Sequence, residues 1–96
     1  MMETENNLLQ LCGVIENTPE VDHEVFGEKF YRLDLKVPRL SGASDILPVT
    51  ISERLMNSEV APGIRIGIAG QLRSYNKVIS GSGRLLLTAF AQQLDP

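Results

Sequence analysis

Aromatic and cationic side chains alternate with apolar ones in two stretches of this sequence, residues 25–37 and 64–78. Exposed aromatic rings can stack on nucleobases and nearby cations can follow phosphates, so such a surface is typical of single-strand nucleic-acid binding. An ordinary polar sheet face explains the same pattern equally well. The candidate side chains for these contacts are Phe30, Arg32, Lys36, Arg39, Arg65, Arg73, Tyr75, Lys77 and Arg84.

Three of these side chains are expected near the end of a hairpin. Lys77 and Arg84 flank the SGSG sequence at residues 80–83, which the sequence predicts as a flexible tip that could fold over a bound strand. Tyr75 and Arg73 are two residues apart on the predicted strand, so both side chains are expected on the face that points away from the core. Packing of the Tyr75 ring on its own hairpin is as good an explanation as a stacking role.

The charges are polarised along the chain. The net charge is −3, yet residues 1–28 hold seven acidic residues and no Lys or Arg, while residues 29–96 hold all nine basic residues and five acidic ones. The resulting balance of +4 in the second part is compatible with a basic face on an otherwise acidic protein. Chance clustering on a solvated surface explains the distribution to the same degree.

Residues that usually perform catalysis or bind metals are scarce. His23 is the only histidine, and it lies in an acidic segment with no cysteine nearby. Cys12 has no cationic neighbour in the sequence, which favours a small strand residue over a nucleophile. The glycines at 80–83 lack the Lys-Ser/Thr pair of a phosphate-binding loop. The sequence therefore predicts a protein that is not an enzyme and that has no metal site and no cofactor.

A long strand at residues 64–78 must position most of the candidate side chains. Apolar and polar residues alternate along it, which is typical of a half-buried strand. Gly67, Ala69 and Gly70 keep its middle thin, as at the bend of a small closed barrel. A second extended run at 84–94 is expected to pair with it as a hairpin. The core-facing residues are predicted to be Ile64, Ile66, Ile68, Gly70 and Leu72.

The other elements complete a small all-β domain. Pro48 removes a ladder donor, so its strand is expected to be an edge or to be bulged there. Five strands with a short helix between the third and fourth favour a five-stranded OB-fold barrel over another small barrel or a sandwich fragment. Residues 7–96 would form this single domain after a flexible tail at 1–6. Further strands are predicted at 7–16, 25–37 and 45–51, a turn-rich connection at 17–24, and a short helix at 52–59 capped by Ser52.

The first strand has an outer face that is mostly apolar. Its outward row is predicted to be Leu8, Gln10, Cys12 and Val14, with only the glutamine polar. Such a row predicts a surface for a partner. Pairing two copies of the strand would cover both the row and the strand edge, so we expect a homodimer or a dimer of dimers. A patch of exposed residues without a role is the alternative.

Several short motifs resemble bacterial single-stranded DNA-binding proteins and the primosomal PriB proteins of the same superfamily. The resemblance extends over residues 7–95, and its strength is the order and spacing of the motifs. The residues similar to the former are Asn7, Gly13, Pro19-Glu20-Val21, Gly63 and Gly70-Gln71-Leu72-Arg73. The residues similar to PriB proteins are Pro48-Val49, Gly63-Ile64-Arg65-Ile66 and Leu94-Asp95.

The resemblance implies an OB-fold, oligomerisation through the first strand and binding of single-stranded DNA, with replication-restart proteins as further partners. The chain departs from the single-stranded DNA-binding proteins because it has no tryptophan and stops at Pro96 without a linker or an acidic tip. The ending at Pro96 resembles PriB and favours an accessory role over general strand coverage.

Two classes of function remain open at this level. The first is non-catalytic binding of single-stranded DNA in replication, replication restart or recombination. The second is an OB-fold that has lost DNA binding and serves protein–protein interaction. The lone cysteine and the absence of an apolar span or a signal sequence predict a cytoplasmic protein without membrane contact, and the resemblance implies a bacterial, nucleoid-associated one.

Overall fold

The computed structural model describes residues 8–79 and 81–95, and for residues 75–79, 82, 84 and 85 it describes the backbone only. The predicted tail at 1–6 lies outside the described residues. No helix in the described part is long and apolar enough to cross a membrane. The strands are β1 (Leu9–Ile15), β2 (Glu20–Val25), β3 (Glu28–Pro38), β4 (Ser44–Ser52), β5 (Arg65–Ile79) and β6 (Ser82–Asp95), with a 3-10 turn (Glu53–Leu55) between β4 and β5.

The strands form one sheet that closes on itself. Its order is β1-β5-β6-β4-β3-β2, and β1 also pairs with β3 through Val14–Lys36 and Ile15–Leu35. This last pairing closes a ring of five strands and leaves β2 outside it as the partner of β3 alone. The 3-10 turn lies between the third and fourth strands of the ring. The predicted OB-fold class is therefore confirmed.

The core fills the inside of this ring. Alternate residues of each strand point inward because successive side chains of a strand point to opposite faces. β-Branched and leucine side chains dominate, and Ala89 and Ala91 provide the thin positions on β6. The buried apolar residues are Ile15, Leu33, Leu35, Val49, Ile51, Val60, Ile66, Ile68, Ala89 and Ala91.

The predicted connection at 17–24 is wrong, because Glu20–Val25 is a strand, β2. Acidic residues have low strand propensity, and β2 forms because β3 supplies a ladder from Arg32 to Glu28, with a register shift between Val21 and His23. The prediction of one strand at 25–37 is also wrong at its start. Val25 ends β2, and a tight turn at Phe26-Gly27 separates β2 from β3, which begins at Glu28. Both turn residues have positive φ, 50° and 83°, which suits the twist of a two-stranded hairpin.

The predicted helix at 52–59 is shortened to one turn. Ser52 caps this turn by accepting a hydrogen bond from the Arg54 amide at 3.2 Å. Met56 has already returned to the extended conformation, and this ends the turn. Leu55 and Met56 still pack against the core, so the apolar contacts that favoured a helix are made without one.

Three further predictions about the strands need correction. The strand containing Pro48 is not an edge, since β4 lies between β3 and β6. The β3–β4 register has no shift at Pro48, and the pairing with β6 begins only at Val49, so the missing N–H interrupts no ladder there. Ile64 and Leu72 were expected in the core but are 40% and 46% exposed. Ile64 precedes β5, and Leu72 lies beyond Gly70, the last buried residue among the β5 positions whose side chains the structure describes.

Two glycines allow strands to approach closely. A Cβ atom added to Gly13 would lie 2.3 Å from the carbonyl oxygen of Lys36, where β1 meets β3. A Cβ atom added to Gly70 would lie 1.9 Å from the carbonyl oxygen of Phe90. The β5–β6 register shifts between Ala69 and Gly70, so Gly70 lies where the long hairpin bends to join the ring.

Candidate nucleic-acid interface

The order of the strands brings Arg32 of β3 and Arg73 of β5 onto one outer face. β6 lies between β4 and β5, and it pairs with β4 in parallel through Thr50–Phe90. Arg32 is opposite Thr50 on the other side of β4. Arg73 is opposite Thr88 on β6. The sequence had left open whether the two strands share a continuous surface, and the register of β6 joins them.

Aromatic rings run across this face. His23 on β2 stacks on Phe30, with ring centroids 4.9 Å apart and planes 9° apart. Phe30 in turn lies against Phe90, with centroids 5.7 Å apart and a tilt of 40°. The guanidinium carbon of Arg73 lies 4.0 Å from the centroid of the Phe90 ring. Such a cation–π contact holds a charge over an apolar surface, so the face combines stacking area with positive charge.

His23, Phe90 and Arg73 also line a groove of about 340 Å³. This volume is at the small end of ligand sites, about 300–1,000 Å³, and suits one group of a longer ligand, such as a single base. On β3, β4 and β6, the lining residues occupy the alternate positions that point away from the core. The others lie on β2 and on the part of β5 opposite Thr88. They are Asp22, His23, Arg32, Thr50, Arg73, Ser74, Thr88 and Phe90.

Two buried threonines form the floor of the groove. Thr88 donates its hydroxyl proton to the carbonyl oxygen of Pro48 at 3.1 Å. The Thr50 and Thr88 hydroxyl oxygens are 3.0 Å apart, and since the Thr88 proton is already used, Thr50 donates in this pair. The chain Thr50–Thr88–Pro48 ties β4 to β6 directly under the Phe90 side of the groove.

The charges around the groove are held by neighbouring polar groups. Arg73 donates through Nη2 to Gln71 Oε1 at 3.1 Å. Arg32 Nη2 lies 4.0 Å from Asp34 Oδ1, with both side chains well exposed. His23 Nδ1 and Asp22 Oδ2 are 2.8 Å apart. Exposed ion pairs such as that of Arg32 contribute little to stability, so Arg32 can turn toward a phosphate at small cost.

An acidic side chain anchors the hairpin that carries His23 and Phe30. The Glu28 carboxylate, at the start of β3, accepts from the Ser52 hydroxyl and from Arg54 Nε, the latter at 2.7 Å. These two partners hold the pKa of Glu28 below its usual range. Lys29 also donates its backbone N–H to Glu53 at 2.8 Å. The hairpin is thus tied to the 3-10 turn beside the face.

Three predicted cations lie apart from the groove. Arg39, just after β3, donates through Nε to Asp45 at 2.8 Å, and this pair lowers the pKa of Asp45 and raises that of Arg39. Lys36 and Arg65 are both opposite Val14 of β1. Arg65 is eight residues from Arg73, about 26 Å along a strand, so it belongs to a separate group of cations.

The side chains of Tyr75, Lys77 and Arg84 lie outside the described residues, so their assignment stays a prediction. The backbone of their hairpin continues in register to Ile79–Ser82. The strands therefore extend farther than the predicted limits at 78 and 84, into the sequence that was expected to form the tip.

Four residues of this face were missed from the sequence. Phe90 stands between Ala89 and Ala91, and the two alanines face the core. Their small size and alternate spacing could have indicated that Phe90 points outward. His23 had been assigned to an acidic turn, and no local signal points to Thr50 or Thr88, because their hydroxyls meet only across the parallel β4–β6 pairing.

The outward row predicted on β1 lies on a different surface. Leu8 is 72% exposed, Gln10 and Cys12 are exposed, and Val14 is half-buried. Beside the row, small residues of β5 such as Gly67 and Ala69 line a second groove of about 630 Å³. β1 pairs with β3 only at Val14 and Ile15, so on that side Leu9–Gly13 has no strand partner within the described ranges.

Comparisons with known proteins include a relative of high similarity. No protein-family model and no curated protein matches the sequence. The dimeric N-terminal domain of PriB protein from Thermoanaerobacter tencongensis is 46% identical to this chain, with a TM-score of 0.81, and the match covers 95% of this chain and 96% of that one. The Plasmodium falciparum SSB complex with ssDNA has a TM-score of 0.76 over 99% and 96% of the two chains, but its 16% identity shows the fold alone.

Proposed function

The chain belongs to the PriB family, and from this premise we propose that it binds single-stranded DNA on the outer face of β3, β4, β5 and β6. It is not an enzyme, as membership of this family indicates. The observation that carries the proposal is the row of rings in contact from His23 through Phe30 to Phe90, with Arg73 held over its end. Bases stack on such rings whatever their sequence.

The proposal assigns separate tasks to the rings and the arginines. Phe30 and Phe90 would stack on bases, while Arg32 and Arg73, on either side of them, would contact the adjoining phosphates. The groove accommodates one base at a time, so a longer strand would cross the face and leave it toward the β5–β6 hairpin, where Lys77 and Arg84 are predicted to contribute. Lys36 and Arg65 could contact a longer strand near β1.

We assign this binding an accessory role in replication, replication restart or recombination. The support is the membership of the PriB family. Replication-restart proteins are the expected partners, and the protein is expected to act in the bacterial cytoplasm at the nucleoid.

The test is a titration of fluorescently labelled oligo-dT of about 30 nucleotides, followed by anisotropy at several salt concentrations. Affinity should fall with salt, with a log–log slope of about −0.7 for each phosphate neutralised. Oligo-dA and oligo-dC of the same length should bind comparably, because stacking tolerates every base. Absence of binding at low salt would leave the interaction-module function as the better account.

Arg73→Ala is expected to flatten the salt dependence, by less than one unit of slope, because it removes one cation near the phosphates. The same titration at three or more salt concentrations measures this slope. Glu20→Ala is the control of opposite charge, because Glu20 is opposite Arg32 in the β2–β3 ladder. It should leave affinity unchanged or slightly raised. A steeper slope in Arg73→Ala, or loss of binding in Glu20→Ala, contradicts the face assignment.

We also propose that the protein is a homodimer, or a dimer of two such dimers, built through β1. The unpaired stretch Leu9–Gly13 can pair with its copy around a two-fold axis. That pairing would also cover Leu8, Cys12 and Val14. The relative from Thermoanaerobacter tencongensis is dimeric, which supports the proposal.

The double substitution Leu8→Lys with Val14→Lys is expected to yield soluble monomer, because it places like charges opposite one another along the paired edges. Sedimentation velocity measures the change, with Leu40→Lys as a control, since Leu40 is fully exposed at 110% and lies in the loop between β3 and β4, outside β1. A wild-type protein that sediments as a monomer at micromolar concentration excludes the dimer.

A further inference from the structure

β2 leaves one side of its backbone without a partner. It is the last strand of the sheet order and pairs only with β3 among the described residues. All six of its residues, Glu20–Val25, are exposed. An exposed edge of this kind is a template on which another extended chain can add as a strand.

The tip of the same hairpin carries an aromatic residue in an unfavourable conformation. Phe26 has a φ of 50°, in the left-handed region that Gly, Asn and Asp tolerate far better than an aromatic residue. Its side chain is 103% exposed, so no packing within the described part of the chain compensates for this cost. A large apolar side chain held outward under these conditions is suited to contact with another molecule.

The charge along this edge selects the kind of partner. Glu20, Asp22 and Glu24 alternate along β2, within a segment, residues 1–28, that has seven acidic residues and no Lys or Arg. Phosphates would be repelled here, which excludes DNA as the occupant of this edge. A second copy of β2 would also place acid against acid. An extended peptide with basic side chains matches both the charge and the free backbone.

Apolar groups next to the acids define what else the partner presents. Val21 and Val25 are 54% and 45% exposed, and with Phe26 they alternate with or follow the three acidic residues. The edge therefore offers apolar contacts at intervals between its charges. A strand that combines basic and apolar side chains can satisfy both kinds of position.

We propose that the free edge of β2 binds an extended, basic segment of a partner protein by strand addition, with the Phe26 ring packing on an apolar side chain of that segment. This edge adjoins the groove, whose lining includes Asp22 and His23 of β2, and it is separate from the β1 row. The free backbone of β2 can then hold a partner beside the face proposed for DNA.

The test is a titration of the full chain with a synthetic peptide of alternating lysine and valine, followed by calorimetry and by amide exchange of β2. The peptide should bind and protect β2 amides from exchange. A lysine–proline peptide has the same charge but cannot form a ladder, and a glutamate–valine peptide reverses the charge. Both should fail to bind. Equal binding of the lysine–proline peptide, or no binding of the lysine–valine peptide, would overturn the proposal.

The variant Phe26→Asn separates a docking role from a structural one. Asn tolerates the left-handed conformation, so the melting temperature should rise while affinity for the lysine–valine peptide falls about tenfold, which corresponds to roughly 1.4 kcal/mol. Leu40→Asn removes a comparably exposed apolar residue from another loop and should leave peptide binding unchanged. Unchanged peptide affinity in Phe26→Asn, or a loss of oligo-dT affinity instead, would overturn the proposed role of Phe26.

Discussion

Phe90→Ala is expected to weaken oligo-dT binding by about 5- to 150-fold, because one base–aromatic stack is worth roughly 1–3 kcal/mol. Phe90 is the ring that joins the two parts of the face, since it contacts Phe30 on one side and lies under Arg73 on the other. The salt slope should stay the same because the substitution removes no charge. Anisotropy titrations at several salt concentrations measure both quantities.

Two further variants make this result specific. Phe90→Tyr keeps an aromatic ring and should bind nearly as the wild type. Leu87→Ala removes a 53% exposed apolar side chain from the same strand, but Leu87 has the opposite parity to Phe90, so oligo-dT affinity should not change. If Phe90→Ala is folded by circular dichroism and binds like the wild type, the ring row does not carry binding and the groove is not the site.

Gly70→Ala is expected to lower the free energy of unfolding by about 3 kcal/mol or more, at the upper end of the usual cost of overpacking. The new methyl group would lie 1.9 Å from the carbonyl oxygen of Phe90 and 2.8 Å from its carbonyl carbon. Both atoms belong to the backbone of β6, which cannot move aside without breaking its pairing. Urea denaturation of the wild type and the variant gives this difference.

Gly83→Ala is the matched control for Gly70→Ala. Gly83 is also a strand glycine of the β5–β6 hairpin, but a Cβ atom there meets nothing within 4 Å. The free energy of unfolding of Gly83→Ala should therefore stay within about 0.5 kcal/mol of the wild-type value. Equal stability of the two variants would mean that the hairpin does not bend at Gly70 as the structure has it.

Local patterns were sufficient to predict the long strand β5 and the class of the fold. Residues 64–78 alternate over many positions, and only a strand places Ile66 and Ile68 on one face. β2 escaped prediction because three of its six residues are acidic, and it forms only where β3 supplies the ladder. The helix predicted at 52–59 is too long. The signals that favoured it, the Ser52 cap and the core contacts of Leu55 and Met56, need only a single turn.

The candidate site was predicted in its parts but not in its arrangement. Arg32 and Arg73 were assigned to outer faces by parity alone, and parity gives no information about which strands are neighbours. Their proximity depends on the parallel pairing of β4 with β6, through Thr50–Phe90. This contact spans 40 residues and leaves no local trace in the sequence. The same pairing places Phe90 beside Phe30.

The most direct test of the account is a map of backbone amide shifts as oligo-dT is added to the isotopically labelled protein at low salt. The account predicts the largest changes at Arg32, Thr50, Arg73 and Phe90, with the β1 row and the tip at Phe26 unaffected. Changes confined to β1 or to the β2 edge, with this face unchanged, would contradict it.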